Sequence, residues 1–387
     1  MQISELAKSI TKSKIRVMYD LARKKGNVLS FTVGEPDFMT PKPIIDKANE
    51  CLSKGYTKYT PNPGIIELRE AIAEKFSPML KRAINPENEI IVTVGATEAI
   101  LVAMQTVMNP GDNIILADPY FTSYINQIKI CHCEANLVRA KEENDFCMTA
   151  EGSEAAINNR TRMLLINTPC NPTGAEIPEE ELEKIAKIAV KHDLVVISDE
   201  VYNTIRYTDK PFVSIATMPG MAERTIVINA FSKAYAMPGW RLGYAIGPAE
   251  LISMMPKTHD VTVACVNAPF QYAGAYALKN CDDQVIEMRE KFRRRKDLIV
   301  SGINAIPGLS CFEPKGAFYL WINIKKLGIT SEEFCFGLLE DQSMAVVPGS
   351  GFGEGGEGYV RMTYAADEAA ISEGIKRMAA YVAKIYK

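Results

Sequence analysis

The chain has 387 residues, length enough for roughly two or three domains and a large apolar core without covalent staples. Its 44 basic and 47 acidic residues leave a net charge of −3, which argues against a nucleic-acid backbone as the main partner. No run approaches the ~18 apolar residues of a membrane span, the N-terminal stretch has no apolar signal core, and the nine cysteines are scattered, so the expectation is a cytoplasmic protein with reduced thiols.

Residues 1–46 read as one amphipathic helix followed by a Gly/Pro-rich segment, VGEPDFMTPKP. Short runs rich in Ile, Val and Leu follow at Ile90–Val94, Asn113–Ala117, Met163–Asn167, Leu194–Ser198, Thr225–Asn229 and Tyr244–Ile246. Continuous apolar runs of this length predict strands buried on both faces. Helical patterns lie between several of them. One spans Pro178–His192, with Glu179, Glu180 and Glu181 in the first turn and Lys191 and His192 in the last. From about residue 281 a long charged helix leads to two short strand patterns, GAFYLWINI and GYVRMTY. The expectation is an α/β fold with a mostly parallel sheet in a large domain, 47–280. A smaller α+β domain would be built from both termini, 1–46 and 281–387.

In open α/β sheets, sites form beyond the C-terminal ends of the strands. After IIVTV come Gly95, Ala96 and Thr97, opening a helix whose free N–H groups could hold a phosphate. After MLLIN comes the turn Thr168-Pro169-Cys170-Asn171-Pro172-Thr173-Gly174, in which Asn171 can present an amide. After LVVIS come Asp199, Glu200, Val201 and Tyr202; after TIVIN come Ala230, Phe231, Ser232 and Lys233, with Arg241 eight residues later. Singly, Asp199 reads as a helix N-cap, Asn171 as a turn residue and Lys233 as a surface lysine. Together they set a phosphate cradle, a carboxylate, an amide, a phenol and a lysine at one sheet edge. A cofactor with a phosphate, a basic ring nitrogen and an aldehyde would use all of them.

In order and spacing, these fragments resemble the fold-type I pyridoxal phosphate enzymes, specifically the class I/II aminotransferases. The resemblance runs from Val33-Gly34-Glu35-Pro36-Asp37-Phe38 through Lys58-Tyr59-Thr60-Pro61 and the Asn-Pro-Thr-Gly turn. It continues through Asp199–Tyr202, Phe231–Lys233 and Gly239–Gly243 to Tyr359–Thr363. It implies pyridoxal 5'-phosphate as cofactor, with Lys233 forming the Schiff base and later shuttling the proton between the substrate α-carbon and C4′. It implies that Asp199 keeps the ring nitrogen protonated, that Asn171 and Tyr202 bond the ring's 3-oxygen, and that Phe121 stacks on the ring. Gly95, Ala96, Thr97, Ser232 and Arg241 would hold the phosphate. Tyr59 would reach the phosphate of a neighbouring subunit, making a homodimer with shared sites. Arg361 would clamp the substrate α-carboxylate, with Asn171 beside it, and Gly34 would leave room for that carboxylate.

The sequence departs from the family pattern in two places. Ala230 stands where a serine often contacts the phosphate. Thr97 stands where some bacterial aspartate aminotransferases carry a lysine for the distal carboxylate, which weighs against aspartate. The Ile15-Arg16 pair resembles members acting on aromatic or neutral amino acids. The expected reaction moves an amino group from an amino acid, aromatic or neutral before aspartate, to a 2-oxo acid such as 2-oxoglutarate. A carbon–sulfur lyase on the same scaffold and a catalytically inactive binding protein are the alternatives.

Three other patterns take plainer readings. Gly351–Gly356 matches G-x-G-x-x-G without the strand–helix context, and reads as a loop near the substrate entrance. Cys131-His132-Cys133 lacks zinc spacing, and no metal is expected. Lys291–Lys296 reads as a solvated helix face, not a nucleic-acid patch.

Overall fold

The computed structural model describes residues 2–386. The strands are β1 (Leu29–Ser30), β2 (Ile90–Thr93), β3 (Asn113–Asp118), β4 (Glu134–Arg139), β5 (Thr161–Asn167), β6 (Val195–Asp199), β7 (Thr225–Ala230), β8 (Gly243–Ile246), β9 (Ser310–Cys311), β10 (Tyr319–Asn323), β11 (Met344–Ala345), β12 (Val347–Pro348) and β13 (Tyr359–Thr363). Seven form a sheet in the order β2-β8-β7-β6-β5-β3-β4, parallel except that β8 runs against both neighbours. This is the α/β class with a mostly parallel sheet that the apolar runs predict. Six of the strands, β2, β3, β5, β6, β7 and β8, are buried along almost their whole length. That burial matches sequences with no polar face.

One strand of this sheet escapes the sequence reading. β4, EANLVR, lies at the sheet's edge with Glu134, Leu137 and Arg139 exposed. An edge strand keeps polar residues on its open side and so shows no continuous apolar run. The N-terminal region also differs from the expected single helix. It holds two, Glu5–Ser9 and Lys14–Lys25, and a third, Lys42–Ser53, begins before residue 46. Ser4 caps the first through the Ala7 N–H, and Gly26, at φ 69°, follows the second.

A second sheet, antiparallel in the order β12-β13-β10-β9, carries the paired GAFYLWINI and GYVRMTY segments, with Trp321 opposite Arg361. The helices Asp282–Asn304, Ser331–Gln342 and Glu368–Ile385 pack around it. The Lys291–Lys296 segment is not uniformly solvated. Arg295 and Lys296 are each only 7% exposed. Arg295 makes a two-pronged bond to Asp37 at 2.7 and 2.9 Å, and Lys296 bonds Glu313 at 2.8 Å. The run's charges therefore tie the Gly/Pro-rich segment and the segment that follows β9 to this helix. Among the described residues no helix is long and apolar enough to cross a membrane.

Strand register gathers the chemistry at one edge. Asn167 lies opposite Asp199, and Asp199 opposite Ile228. Ala230 and Thr93 both lie opposite Gly243. Because β8 runs antiparallel, its start, preceded by Arg241, meets the ends of β2 and β7.

Candidate active site

A cavity of about 490 Å³ opens at this edge. Its lining includes Gly34, Ala96, Thr97, Phe121, Asn171, Asp199, Tyr202, Ser232, Lys233, Arg241 and Arg361. Gly95 lies directly behind Ala96, against Arg241. Of the residues singled out in the sequence, Tyr59 stands apart. It is 90% exposed and faces a separate cleft with Tyr56, Cys265 and Asn267.

At the cavity floor, Asp199 ends β6 and is 5% exposed. It is not a helix N-cap. Its carboxylate accepts the Tyr124 hydroxyl at 2.6 Å and the Val201 N–H at 3.3 Å. Burial pushes its pKa up to about 6, against the lowering effect of the Tyr124 and Val201 hydrogen bonds and the Lys233 charge. The adjoining Tyr202 shares a hydrogen bond with the Tyr319 hydroxyl at 2.8 Å. Phe121 meets Tyr124 edge to face, 5.5 Å between ring centres.

Lys233 projects from the short helical turn Phe231–Ala234 that follows β7. Its Nζ donates to the Gly34 carbonyl at 2.5 Å. Burial lowers its pKa to about 8; Glu35 opposes the shift, while Arg361 and Arg241 add to it. Gly34 lines the cavity, and a side chain there would collide with the Tyr319 hydroxyl, so the glycine lets Tyr319 pack against the backbone at this wall.

The anion cradle forms where the Gly95–Val107 helix begins. The first-turn N–H groups of a helix lack intrahelical acceptors and carry the positive end of its dipole. Glu98 Oε2 takes the preceding Val94 N–H at 2.5 Å. Arg241, in the left-handed region at φ 51°, lies over Gly95 so closely that a side chain on Gly95 would strike its guanidinium. Gly243 permits the same approach from below, since its missing side chain would touch the Gly95 and Ala96 backbone. Thr97 is exposed and lines the cavity beside the cradle.

At the opposite wall Arg361, on β13, is fully buried. Its Nη1 donates to Asn171 Oδ1 at 2.9 Å, its Nη2 to the Thr32 carbonyl, and its Nε has no partner among the described residues. Nη1 and Nη2 each keep a second N–H, and Arg361 lines the cavity, so a carboxylate there has guanidinium donors to meet. Asn171 spends its oxygen on Arg361, which leaves its amide N–H₂ as the donor end. Phosphate cradle, amine, buried carboxylate and unsatisfied guanidinium fit a phosphorylated pyridine aldehyde together with a carboxylate substrate.

Tyr124 and Tyr319 are the site residues that the motif reading misses. Tyr124 lies one helical turn beyond Phe121, a spacing that could have pointed to it. Tyr319 sits in an aromatic strand whose composition is indistinguishable from core. The Gly351–Gly356 loop closes over the end of β3, where the Gly355 N–H donates to the Asp118 carboxylate at 2.9 Å.

The family model for aminotransferase class I and II matches residues 26–378. The chain is 41% identical to the aspartate aminotransferase of Pyrococcus abyssi, over 98% of this chain and 97% of that one. It is 40% identical to aromatic-amino-acid aminotransferase 2 of Thermococcus litoralis, over 98% and 97%. The solved aromatic aminotransferase of Pyrococcus horikoshii superposes with a TM-score of 0.90 at 40% identity, covering 95% of this chain and 99% of that one.

Proposed function

The chain belongs to the class I and II aminotransferases, and from that membership we propose the division of labour by which its residues move an amino group from an amino acid to a 2-oxo acid. The cofactor is pyridoxal 5'-phosphate, which supplies the aldehyde that carries the amino group and the ring that accepts electrons from the substrate α-carbon. The observation that carries the reading is the pairing of Lys233, an amine with a pKa near 8, with the buried carboxylate of Asp199 in one cavity.

Lys233 would hold the aldehyde carbon of the bound cofactor, and its Nζ, once freed by an incoming amino group, would move the proton between the substrate α-carbon and C4′. A base with a pKa near 8 matches that two-way task at neutral pH. Asp199, fixed by Tyr124, would keep a proton on the ring nitrogen. Tyr202 and the Asn171 amide would donate to the ring's 3-oxygen, and Phe121 would cover the ring face. The Gly95–Thr97 backbone, Ser232 and Arg241 would hold the phosphate. Arg361 would bind the substrate α-carboxylate through the N–H groups of Nη1 and Nη2 that Asn171 and Thr32 leave free.

Aromatic or neutral amino acids are the favoured donors, with aspartate less so, since Thr97 offers no charge. The acceptor is a 2-oxo acid such as 2-oxoglutarate. A homodimer is the working form: Tyr59 is 90% exposed, with Met39 and Val261 similarly bare, as expected of residues that serve a neighbouring subunit. The cytoplasm is the proposed compartment.

The test is the visible absorbance of the cofactor-loaded enzyme. An amino donor should convert the aldehyde form to the amine form, and a 2-oxo acid should restore it, with parallel-line initial-rate kinetics. Loss of the aldehyde form without recovery, accompanied by release of ammonia, would show a lyase instead.

A further inference from the structure

Four cationic side chains line the cavity, and the proposed reaction uses three of them. Lys233 bonds the Gly34 carbonyl, Arg241 bonds the Pro238 and Val94 carbonyls over the anion cradle, and Arg361 bonds Asn171 and Thr32. The fourth, Arg16, makes no hydrogen bond and no ion pair among the described residues. Of the two carboxylates in the lining, Asp199 is held by Tyr124, and Glu35 acts on the Lys233 amine. Asp20, the acid nearest Arg16 in sequence, is taken by Lys12 at 2.7 Å. Arg16 acts on Asp20 only through space, so its N–H donors are not spent on a protein carboxylate and remain for a ligand.

Its placement is built. The Lys14–Lys25 helix is anchored at its start to two other helices, Ser123–Ile130 with its N-cap Thr122, and Ser331–Gln342. The Thr11 N–H donates to Asn126 Oδ1 at 3.2 Å, Asn126 Nδ2 returns a bond to the Thr11 carbonyl at 3.0 Å, and the Ser13 and Thr122 hydroxyls pair at 3.3 Å. Lys14 bridges to Glu332 at 2.7 Å. The helix thus presents Ile15, Arg16 and Tyr19 to the cavity. The Arg16 guanidinium lies over the Tyr19 ring, 5.6 Å from its centre, a contact that narrows its rotamers without using its N–H donors.

Resting on the transaminase reading, we propose that Arg16 is the specificity residue for dicarboxylate substrates, binding the distal carboxylate of a 2-oxo diacid or its amino acid while Arg361 binds the α-carboxylate. The cation that Thr97 does not supply comes from the N-terminal helix instead. Neutral and aromatic substrates meet the same wall through Ile15 and the Tyr19 ring, so one pocket serves both halves of the reaction.

The test compares two acceptors of equal chain length on the holoenzyme: 2-oxoglutarate, and 2-oxopentanoate, which has a methyl group in place of the distal carboxylate. R16A should raise the KM for 2-oxoglutarate about 10- to 100-fold, the loss expected for one charge-assisted pair, and change that for 2-oxopentanoate by no more than about twofold. R16K should recover part of the loss. The Kd of glutarate, which cannot react, should rise in parallel. Equal KM changes for both acceptors, or an unaltered glutarate Kd, would overturn the assignment. Should the wild-type enzyme transaminate no acceptor, the proposed reaction fails, yet the glutarate comparison still decides Arg16.

Discussion

Tyr124 donates its hydroxyl to Asp199 across 2.6 Å, and both side chains are buried. The bond favours the ionised carboxylate, which burial otherwise drives toward its neutral form. Tyr124→Phe removes that support, so the Asp199 pKa should move above about 6 and the carboxyl should hold the ring nitrogen less well. We expect kcat to fall about tenfold, in the range of one lost charge-assisted bond. The acid limb of the rate profile should move to higher pH. An unchanged acid limb would mean that Tyr124 merely packs against Asp199.

Lys233 gives a second prediction through its titration. Burial holds its pKa near 8, so in cofactor-free enzyme the amine is partly neutral at pH 8 while surface lysines remain charged. An amine-directed reagent used sparingly at pH 8 should label Lys233 ahead of the other lysines, with a midpoint near 8 read by peptide mass analysis. Lys233→Ala should keep the fold and lose turnover by several orders of magnitude; measurable multiple turnovers in that variant would remove Lys233 from its role.

Much of this site is legible in the sequence because the residues follow strands whose apolar runs are unmistakable. Asp199, Lys233 and Asn171 each sit within a few positions of a buried strand end, and parallel topology sends those ends to one edge. What is not legible depends on contacts far apart in the chain. Tyr319 reaches Tyr202 from 117 positions away, and it packs where a side chain on Gly34 would stand. Arg295 looks like one more charge in a basic helix until Asp37, 258 positions earlier, is seen to bury it. The edge strand β4 hides because solvent on its open side permits charge.

The Arg295–Asp37 pair should carry stability that surface pairs do not. Arg295 is 7% exposed, its two N–H groups meet both carboxylate oxygens, and its guanidinium lies 4.8 Å from the Phe38 ring centre. Removing Asp37 strands a buried cation. Since the Asp37 side chain is 29% exposed, water offsets part of that cost. Asp37→Ala should therefore destabilise by about 2 kcal/mol in urea unfolding. Glu5→Ala, which breaks the solvated pair with Lys8, should change stability by less than about 0.5 kcal/mol. Equal effects of the two substitutions would contradict the buried clamp.

Glu200 supplies a pH dependence that needs no cofactor. It is fully buried, accepts the Ser198 and Ser214 hydroxyls at 2.7 and 2.5 Å through Oε1, and among the described residues has no partner for Oε2. Burial raises its pKa from 4.5 to about 7, the two serine bonds acting against the shift. Between those values the folded protein holds more protons than the unfolded chain, so stability falls as pH rises through about 4.5 to 7. Above that window the ionised group costs on the order of 3 kcal/mol, at about 1.4 kcal/mol per unit. Glu200→Gln keeps the shape and the Oε1 acceptor but cannot ionise. Unfolding midpoints of the two proteins should diverge in the variant's favour as pH rises through the window, and level off above it. A difference that stays constant from pH 4.5 to 8.5 would show that Glu200 does not titrate in the folded protein.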